Sequence, residues 1–144
     1  MILIDANVVI YAYDRSDPHH PVARPWLERT MGGDEPIGFP LMTLLAFVRI
    51  STNPGLHREP LPAATALSIV RSWLAHPNVT MVSPTERHWS TLEVLAASGQ
   101  ARGPLLMDAH LAALAIEHGA TLATTDRDFS RFPGLRTIDP LTTR

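Results

Sequence analysis

Short apolar runs alternate along the chain with longer segments whose apolar residues recur with a helical period. The short runs predict five strands, at residues 2–5, 36–39, 78–82, 120–124 and 135–138. The longer segments predict helices at 7–13, 20–31, 41–52, 63–75 and 108–118, and one more that starts at 83–86 and ends before residue 99. Strands that alternate with helices are typical of an α/β fold, in which helices cover both faces of a mostly parallel sheet.

Local signals predict where several of these helices begin. Asn7 is expected to cap the first helix, because its short side chain can accept a hydrogen bond from a backbone amide. The segment SPTE at 83–86 has the residues of a helix start: Ser as cap, Pro at the first helical position and Glu at the third. Asp108 is expected to open the last helix, which Gly119 ends.

The length and composition predict one domain over residues 1–144. The chain is 45% apolar and 18% charged, which is enough to form a core and too apolar for disorder. No repeat, linker or low-complexity segment divides it. We therefore expect a single three-layer α/β/α domain with a central sheet of about five strands.

The composition excludes several classes of function. All twelve basic residues are arginine, so Schiff-base chemistry and the P-loop, which both need a lysine, are excluded. The chain has no cysteine, and it contains neither the H-E-x-x-H pattern of zinc sites nor the G-x-S-x-G and G-x-G-x-x-G motifs. The net charge of −2 means that a nucleic-acid enzyme would need local basic patches or bound cations.

The start of the chain and the length of its apolar runs bear on its cellular location. The first residues reach a charge at Asp5 and have no basic segment before it, unlike a signal peptide. No apolar run approaches the ~18 residues that a membrane helix needs. We therefore expect a cytoplasmic protein.

Three aspartates lie where the predicted elements would form a shared cleft. Asp5 ends the first strand, Asp126 follows the fourth, and Asp108 opens the helix that leads into the fourth. In an open parallel sheet, ligands bind beyond the carboxyl ends of the strands, where the strand order reverses. If the first and fourth strands are neighbours, the three carboxylates converge. Carboxylates without His or Cys suit Mg²⁺, and such ions activate water and stabilise a phosphodiester transition state.

Each acid also has a purely structural interpretation. Asp5 can be a turn former at a strand end, and Asp108 can be a first-turn acid of a helix. Asp126 and Asp128 can shape the turn before Phe129. The functional hypothesis therefore depends on all of these acids falling at the right ends of the right elements.

Three segments resemble the motifs of PIN-domain nucleases. The first motif of that family is similar to IDANV at residues 4–8, and its central D-A-x-x-A-A-x-A helix to MDAHLAALA at 107–115. Its terminal T-x-D-x-D-F motif is similar to TTDRDF at 124–129. The three segments occur in the family's order and span nearly the whole chain. The size and the segment FPGL at 132–135 resemble the VapC toxins of bacterial toxin–antitoxin modules.

This resemblance implies a topology, an activity and partners. It implies strand order 3-2-1-4-5 and an endoribonuclease that depends on Mg²⁺ or Mn²⁺. It also implies a homodimer and a VapB-type antitoxin that blocks the cleft. Carried over by position, Asp5, Asp108 and Asp126 would be the catalytic acids that hold the metal, with Asp128 as a fourth catalytic acid.

The chain departs from the family at one position. The family usually places a Glu three residues before an Arg on one helix; here the Arg is Arg49 and the matching residue is Ala46. Three outcomes are open: Asp128 or water completes the coordination sphere, metal affinity is lower, or activity is lost. A weakened domain that works by binding RNA or protein is therefore an alternative. A phosphotransfer fold with clustered aspartates is disfavoured, because those families use a lysine.

Other residues have candidate roles beside this cleft. Arg49, Arg102 and Arg127 are candidate ligands of substrate phosphates, since guanidinium groups bind phosphate bidentately; a solvated surface position is the alternative. His110 lies two residues after Asp108, about 200° around a helix. We therefore expect it to be a structural residue, hydrogen-bonded at a helix interface; a role on the substrate side is the alternative.

The aromatic and apolar helical residues have two open interpretations. Trp26, Trp73 and Trp89 fall in helical patterns and are expected to pack in the core or in an interface, with stacking on nucleic-acid bases as the alternative. The apolar helices at 41–50 and 63–75 exceed what one face of a small domain needs. They either form a dimer interface or are simply buried in the three-layer fold.

Overall fold

A computed structural model describes residues 1–142, so the last two residues of the predicted domain lie outside it. The strands are β1 (Ile2–Ile4), β2 (Ile37–Pro40), β3 (Val79–Val82), β4 (Thr121–Ala123) and β5 (Thr137–Ile138). They form one sheet in the order β3-β2-β1-β4-β5, and all four pairings are parallel. The predicted α/β fold class and strand order 3-2-1-4-5 are confirmed.

Within residues 1–142, six α-helices flank this sheet: α1 (Ala6–Tyr13), α2 (His20–Met31), α3 (Leu41–Ser51), α4 (Ala63–Leu74), α5 (His88–Ser98) and α6 (Leu105–Glu117). A 3₁₀ helix at Arg127–Arg131 connects β4 to β5. None of the helices within residues 1–142 combines the length and the apolar character needed to cross a membrane.

Two apolar cores lie on opposite faces of the sheet. Neighbouring residues of β1 point to opposite faces, so Ile4 packs with the residues of α1 to α4, whereas Leu3 packs with those of α5 and α6. Both side chains are fully buried. Leu122 and Ala123 of β4 divide between the two cores in the same way. The predicted three-layer arrangement follows from this double burial of the central strands.

Two helix starts differ from the predictions. Helix α6 begins at Leu105, just after Gly103-Pro104, so Asp108 lies in the first turn instead of opening the helix. Helix α5 begins at His88, so the predicted start at 83–86 is wrong. The reason is a tertiary contact: the Thr85 amide donates to a carboxylate oxygen of Glu117 at 2.6 Å, which replaces the expected local cap.

The tryptophans and apolar helices are only partly buried. Trp26 and Trp73 are in the core, as predicted, but Trp89 is 70% exposed, which excludes a core position for it. Helix α3 buries Phe47 and leaves Leu45 57% exposed. The helices at 41–50 and 63–75 therefore each bury one face and present apolar side chains to solvent on another, and the predicted dimer interface stays a prediction.

Candidate metal centre

The strand order brings the two strand-end aspartates to the same edge of the sheet. From β1 the chain adds β2 and β3 on one side and β4 and β5 on the other, so the order reverses between β1 and β4. These two strands are neighbours, with Ile4 paired to Ala123. Asp5 directly follows β1, and Asp126 follows β4 by three residues. Their side chains are therefore at the crevice where open parallel sheets bind ligands.

Asp126 forms a cluster here with two further carboxylates. Within residues 1–142, Asp108, Asp126 and Asp128 each offer an oxygen, and these atoms lie within 4.8 Å of one another. Asp108 comes from the first turn of α6. Asp126 caps the 3₁₀ helix and accepts a 2.9 Å hydrogen bond from the Asp128 amide. The structure thus brings together the predicted acids of two separate motifs, including the fourth acid.

Asp5 is held beside this cluster by three hydrogen bonds. Its Oδ1 accepts from the Ala6 amide at 2.7 Å, which makes Asp5 the cap of α1. Its Oδ2 accepts from the Thr124 hydroxyl at 2.7 Å and from Nδ2 of Asn7 at 3.1 Å. The prediction that Asn7 caps α1 is therefore wrong: Asp5 takes that position, and Asn7 orients the Asp5 carboxylate instead.

The charges of the four aspartates act on one another. Burial, together with the charges of Asp126, Asp5 and Asp128, raises the pKa of Asp108 to about 6. Burial also raises the pKa of Asp5; its hydrogen bonds oppose that effect, and the charge of Asp126 adds to it. Removing carboxylates from water near like charges disfavours ionisation. A bound cation would remove this repulsion.

The donor set fits a hard divalent cation. All of the clustered ligand atoms are carboxylate oxygens, and the group contains neither His nor Cys among residues 1–142. Mg²⁺ binds through one or two carboxylates and keeps several waters, and Mn²⁺ accepts the same ligands. Asp108, Asp126 and Asp128 are close enough to share such an ion, and Asp5 is coupled to them by charge.

The contacts of two polar residues of this centre, Asn7 and Thr124, were not predicted. Thr124 is 4% exposed, and its hydroxyl accepts from the Asp126 amide at 3.1 Å and from Asn7 at 3.3 Å while it donates to Asp5. Thr125 in turn donates its amide to Asn7 Oδ1. Asn7 and Thr124 both fall inside motifs identified in the sequence, at residues 4–8 and 124–129. Only the pairing of β1 with β4 shows that their side chains are in contact.

The three predicted phosphate ligands are all exposed. Arg49 lies in the last turn of α3, Arg102 in the loop before α6, and Arg127 at the start of the 3₁₀ helix. Arg127 and Asp126 line a cavity of about 300 Å³ beside β4. No hydrogen bond or ion pair of residues 1–142 joins any of these arginines to the acids. Their role as phosphate ligands stays a prediction.

Ala46 of α3 is half-buried. One turn earlier on this helix, the Thr43 hydroxyl donates to the carbonyl oxygen of Ile4 at 2.8 Å, directly before Asp5. Residues three apart share a helix face, so position 46 lies on the same face as Thr43. Helix α3 has no acidic residue.

His110 lies at a helix interface rather than among the acids. Its Nδ1 is 2.8 Å from Nε2 of His88 on α5, and His88 Nδ1 pairs with the carboxylate of Glu117. Burial, and then the neighbouring His88, lower the pKa of His110. The predicted hydrogen bond of His110 at a helix interface is confirmed.

A parallel sheet of this order, with clustered carboxylates where its order reverses, defines an α/β protein with an acidic cleft. The PIN domain family matches residues 2–135, and the chain belongs to this family. It is 41% identical over 140 residues to ribonuclease VapC37 of Mycobacterium tuberculosis, covering 97% of both chains.

Solved structures show the same fold. VapBC2 from Rickettsia felis, bound to a DNA fragment from its promoter, superimposes with a TM-score of 0.70 and 18% identity, over 96% of this chain and 98% of that one. VapC20 of Mycobacterium tuberculosis, described as a toxin that cleaves the sarcin–ricin loop, superimposes with a TM-score of 0.64 and 19% identity. The superposition with VapC20 covers 94% of this chain and 99% of the VapC20 chain.

Proposed function

We propose that the chain is an endoribonuclease that depends on Mg²⁺ or Mn²⁺ and acts as the toxin of a toxin–antitoxin module. The observation that carries this proposal is the convergence of Asp108, Asp126 and Asp128 within 4.8 Å, next to Asp5, at the reversal point of a parallel sheet. The relationship to VapC ribonucleases over nearly the whole chain supports the choice of RNA as substrate.

The side chains of this cleft divide the work of phosphodiester hydrolysis. Asp108, Asp126 and Asp128 would hold the ion, which supplies an activated water and stabilises the charge that develops on the phosphate. Asp5 is kept in one orientation by Thr124 and Asn7 and adds its charge to the site.

Substrate approach needs positive charge around this acidic cleft. Arg127 lies next to Asp126 in sequence and lines the adjoining cavity. With the exposed Arg49 and Arg102, it would hold phosphates that flank the scissile bond. Such contacts position the RNA without reading its bases.

The proposed partners follow the relatives. Structural neighbours include toxin–antitoxin complexes such as VapBC2, so a VapB-type antitoxin that blocks the cleft is the proposed protein partner. The exposed leucines of α3 and α4, Leu41, Leu45 and Leu67, are consistent with the proposed homodimer. A cytoplasmic location is proposed with this function.

A second candidate function rests on Ala46. A cleft that lacks one acid of the family pattern can bind RNA or a protein without cutting it. Under this alternative, the chain would bind RNA in the presence of a chelator and would not cleave it at high protein concentration.

Cleavage of a mixed RNA pool separates the two functions. We expect cleavage with Mg²⁺ or Mn²⁺ that EDTA abolishes and that Asp5→Asn lowers strongly. Asp34→Asn is the matched control, because Asp34 is exposed and precedes β2 at the opposite edge of the sheet. Full activity of the Asp5 variant, or cleavage that resists EDTA, would reject the proposed mechanism. Binding without cleavage would favour the second function.

A further inference from the structure

Arg131 is a half-buried cation at the end of the 3₁₀ helix, and its hydrogen bonds are incomplete. Its Nη1 donates to the carbonyl oxygen of Gly99 at 3.1 Å. Its Nε is buried and has no partner among residues 1–142. A buried donor without a partner is unfavourable and rare in native structures, so its presence calls for an explanation.

Gly99, the acceptor, is held from two sides. It caps the end of α5, and its carbonyl is the one that Arg131 binds. Phe132 follows Arg131 in the sequence. Its ring lies so close to Gly99 that a Cβ atom on Gly99 would be 2.8 Å from Cε1 of the ring. Phe132 itself is 2% exposed and belongs to the core under α6. The end of the 3₁₀ helix is thereby joined to the end of α5.

The segment from Gly99 to Asp108 is tightly turned and leads straight into α6. The Leu106 amide donates to Gly103 at 3.0 Å, and the Met107 amide to Pro104 at 3.1 Å. Asp108 follows in the first turn of α6. This segment therefore connects Gly99 to the helical turn that carries Asp108.

The charge of Arg131 also acts on Asp108. It lowers the pKa of that carboxyl group, against burial and the charges of the other three aspartates. Arg131 thus lies near the acid that the segment from Gly99 carries. It belongs to the same turn as Asp126 and Asp128, which provide the other ligand atoms of the cluster.

We propose that Arg131 is a positioning residue of the metal centre, which sets Asp108 against Asp126 and Asp128 through the Gly99 carbonyl. This inference rests on the proposed function, because it assumes that the aspartates hold a divalent ion. A cation that served only as a counterion would repel the metal, and its removal would tighten metal binding. A positioning residue has the opposite effect, so the sign of the change in affinity separates the two roles.

The test is calorimetric titration of the full chain with Mn²⁺. We expect Arg131→Met and Arg131→Gln to weaken Mn²⁺ binding by about 10- to 100-fold, the usual effect of losing a residue that orients metal ligands. Arg131→Lys keeps a donor and a charge, so we expect it to bind between these variants and the wild type. Arg136→Met is the matched control, because exposed Arg136 donates to the Gly119 carbonyl at 2.8 Å, at the other end of α6.

The outcomes distinguish this inference from the function it rests on. Unchanged or tighter Mn²⁺ binding by folded Arg131→Met and Arg131→Gln would overturn the positioning role. If neither neutral variant folds, Arg131→Lys decides, and wild-type affinity in that variant overturns the role. A wild-type chain whose Mn²⁺ binding is absent, or is insensitive to Asp108→Asn, would instead reject the proposed metal-dependent function.

Discussion

The hydroxyl of Thr124 donates a 2.7 Å hydrogen bond to Oδ2 of Asp5, across 119 residues of sequence. The Thr124 hydroxyl oxygen in turn accepts from the Asp126 amide, so one buried hydroxyl contacts an acid at the end of β1 and the backbone of an acid beyond β4. Groups that orient acidic ligands stabilise the geometry a metal needs, even when they do not touch the ion.

Thr124→Val should therefore weaken the metal centre. Valine has the shape of threonine but leaves the Asp126 amide and the Asp5 carboxylate without this partner. We expect Mn²⁺ affinity to fall by about 10- to 100-fold, and the free energy of unfolding to fall by about 1–3 kcal/mol. Titration calorimetry and urea unfolding measure the two effects separately.

Two variants control for this substitution. Thr124→Ser keeps the hydroxyl and should retain most of the affinity. Thr121→Val changes a threonine at the other end of β4, whose hydroxyl makes no hydrogen bond within residues 1–142, and should bind Mn²⁺ like the wild type. If Thr124→Val loses stability but keeps its affinity, the hydroxyl is structural only.

Asp108→Asn should lower activity far more than stability. Loss of one ligand charge from the cluster should reduce RNA cleavage by about 100-fold, which corresponds to about 3 kcal/mol of transition-state stabilisation. The folded-state pKa of Asp108 is about 6, above its ordinary 3.8, so its ionised form destabilises the metal-free fold at neutral pH. The variant should gain about 1 kcal/mol at pH 7, after allowance for solvent screening of this half-exposed group.

This gain should depend on pH in a defined direction. Near pH 4 and below, Asp108 is protonated in the folded chain, so the wild type and Asp108→Asn should melt alike in EDTA. The difference should grow as the pH rises from 4 to 6 and then stay constant. A variant that melts well below the wild type at pH 7 in EDTA would contradict the proposed repulsion.

Metal affinity should itself fall in acid. Below pH 6, a proton on Asp108 competes with the ion, so Mn²⁺ affinity should drop by about tenfold per pH unit, and it should be nearly constant above pH 7. Titrations between pH 5 and pH 8 measure this dependence. The raised pKa of Asp5 acts in the same direction. Equal affinities at pH 5 and pH 7 would show that Asp108 does not ligate the ion.

The positions of the acids were predictable because strand ends and helix starts are visible in the sequence. Asp5 and Asp126 each follow a short apolar run, and parallel strands end at one edge of a sheet. That β1 and β4 are neighbours came from the family resemblance, since periodicity alone does not order strands. The roles of Asn7 and Thr124 depend on that pairing, so no local pattern showed them.

Long-range contacts explain what the sequence did not predict. The segment at 83–86 has the residues of a helix start, yet the Thr85 amide binds Glu117 and α5 begins later. The preference of residues 83–86 for a helix start is local, and the tertiary hydrogen bond to the Glu117 carboxylate overrides it. Arg131 is a similar case, because its partner Gly99 belongs to another helix end.

Ala46→Glu should restore the acid that the family pattern has at this position. The residue is half-buried, and Thr43 on the same face of α3 binds the backbone next to Asp5, so a carboxylate at position 46 should reach the acidic cleft. We expect Mn²⁺ affinity to rise by about tenfold, because affinity for hard cations grows with the charge of the ligand set. In EDTA, the added repulsion should lower the melting temperature, and Mn²⁺ should recover it. Ala46→Gln has the same length without the charge and should bind Mn²⁺ like the wild type. Identical titrations for the two variants would mean that position 46 faces away from the metal centre.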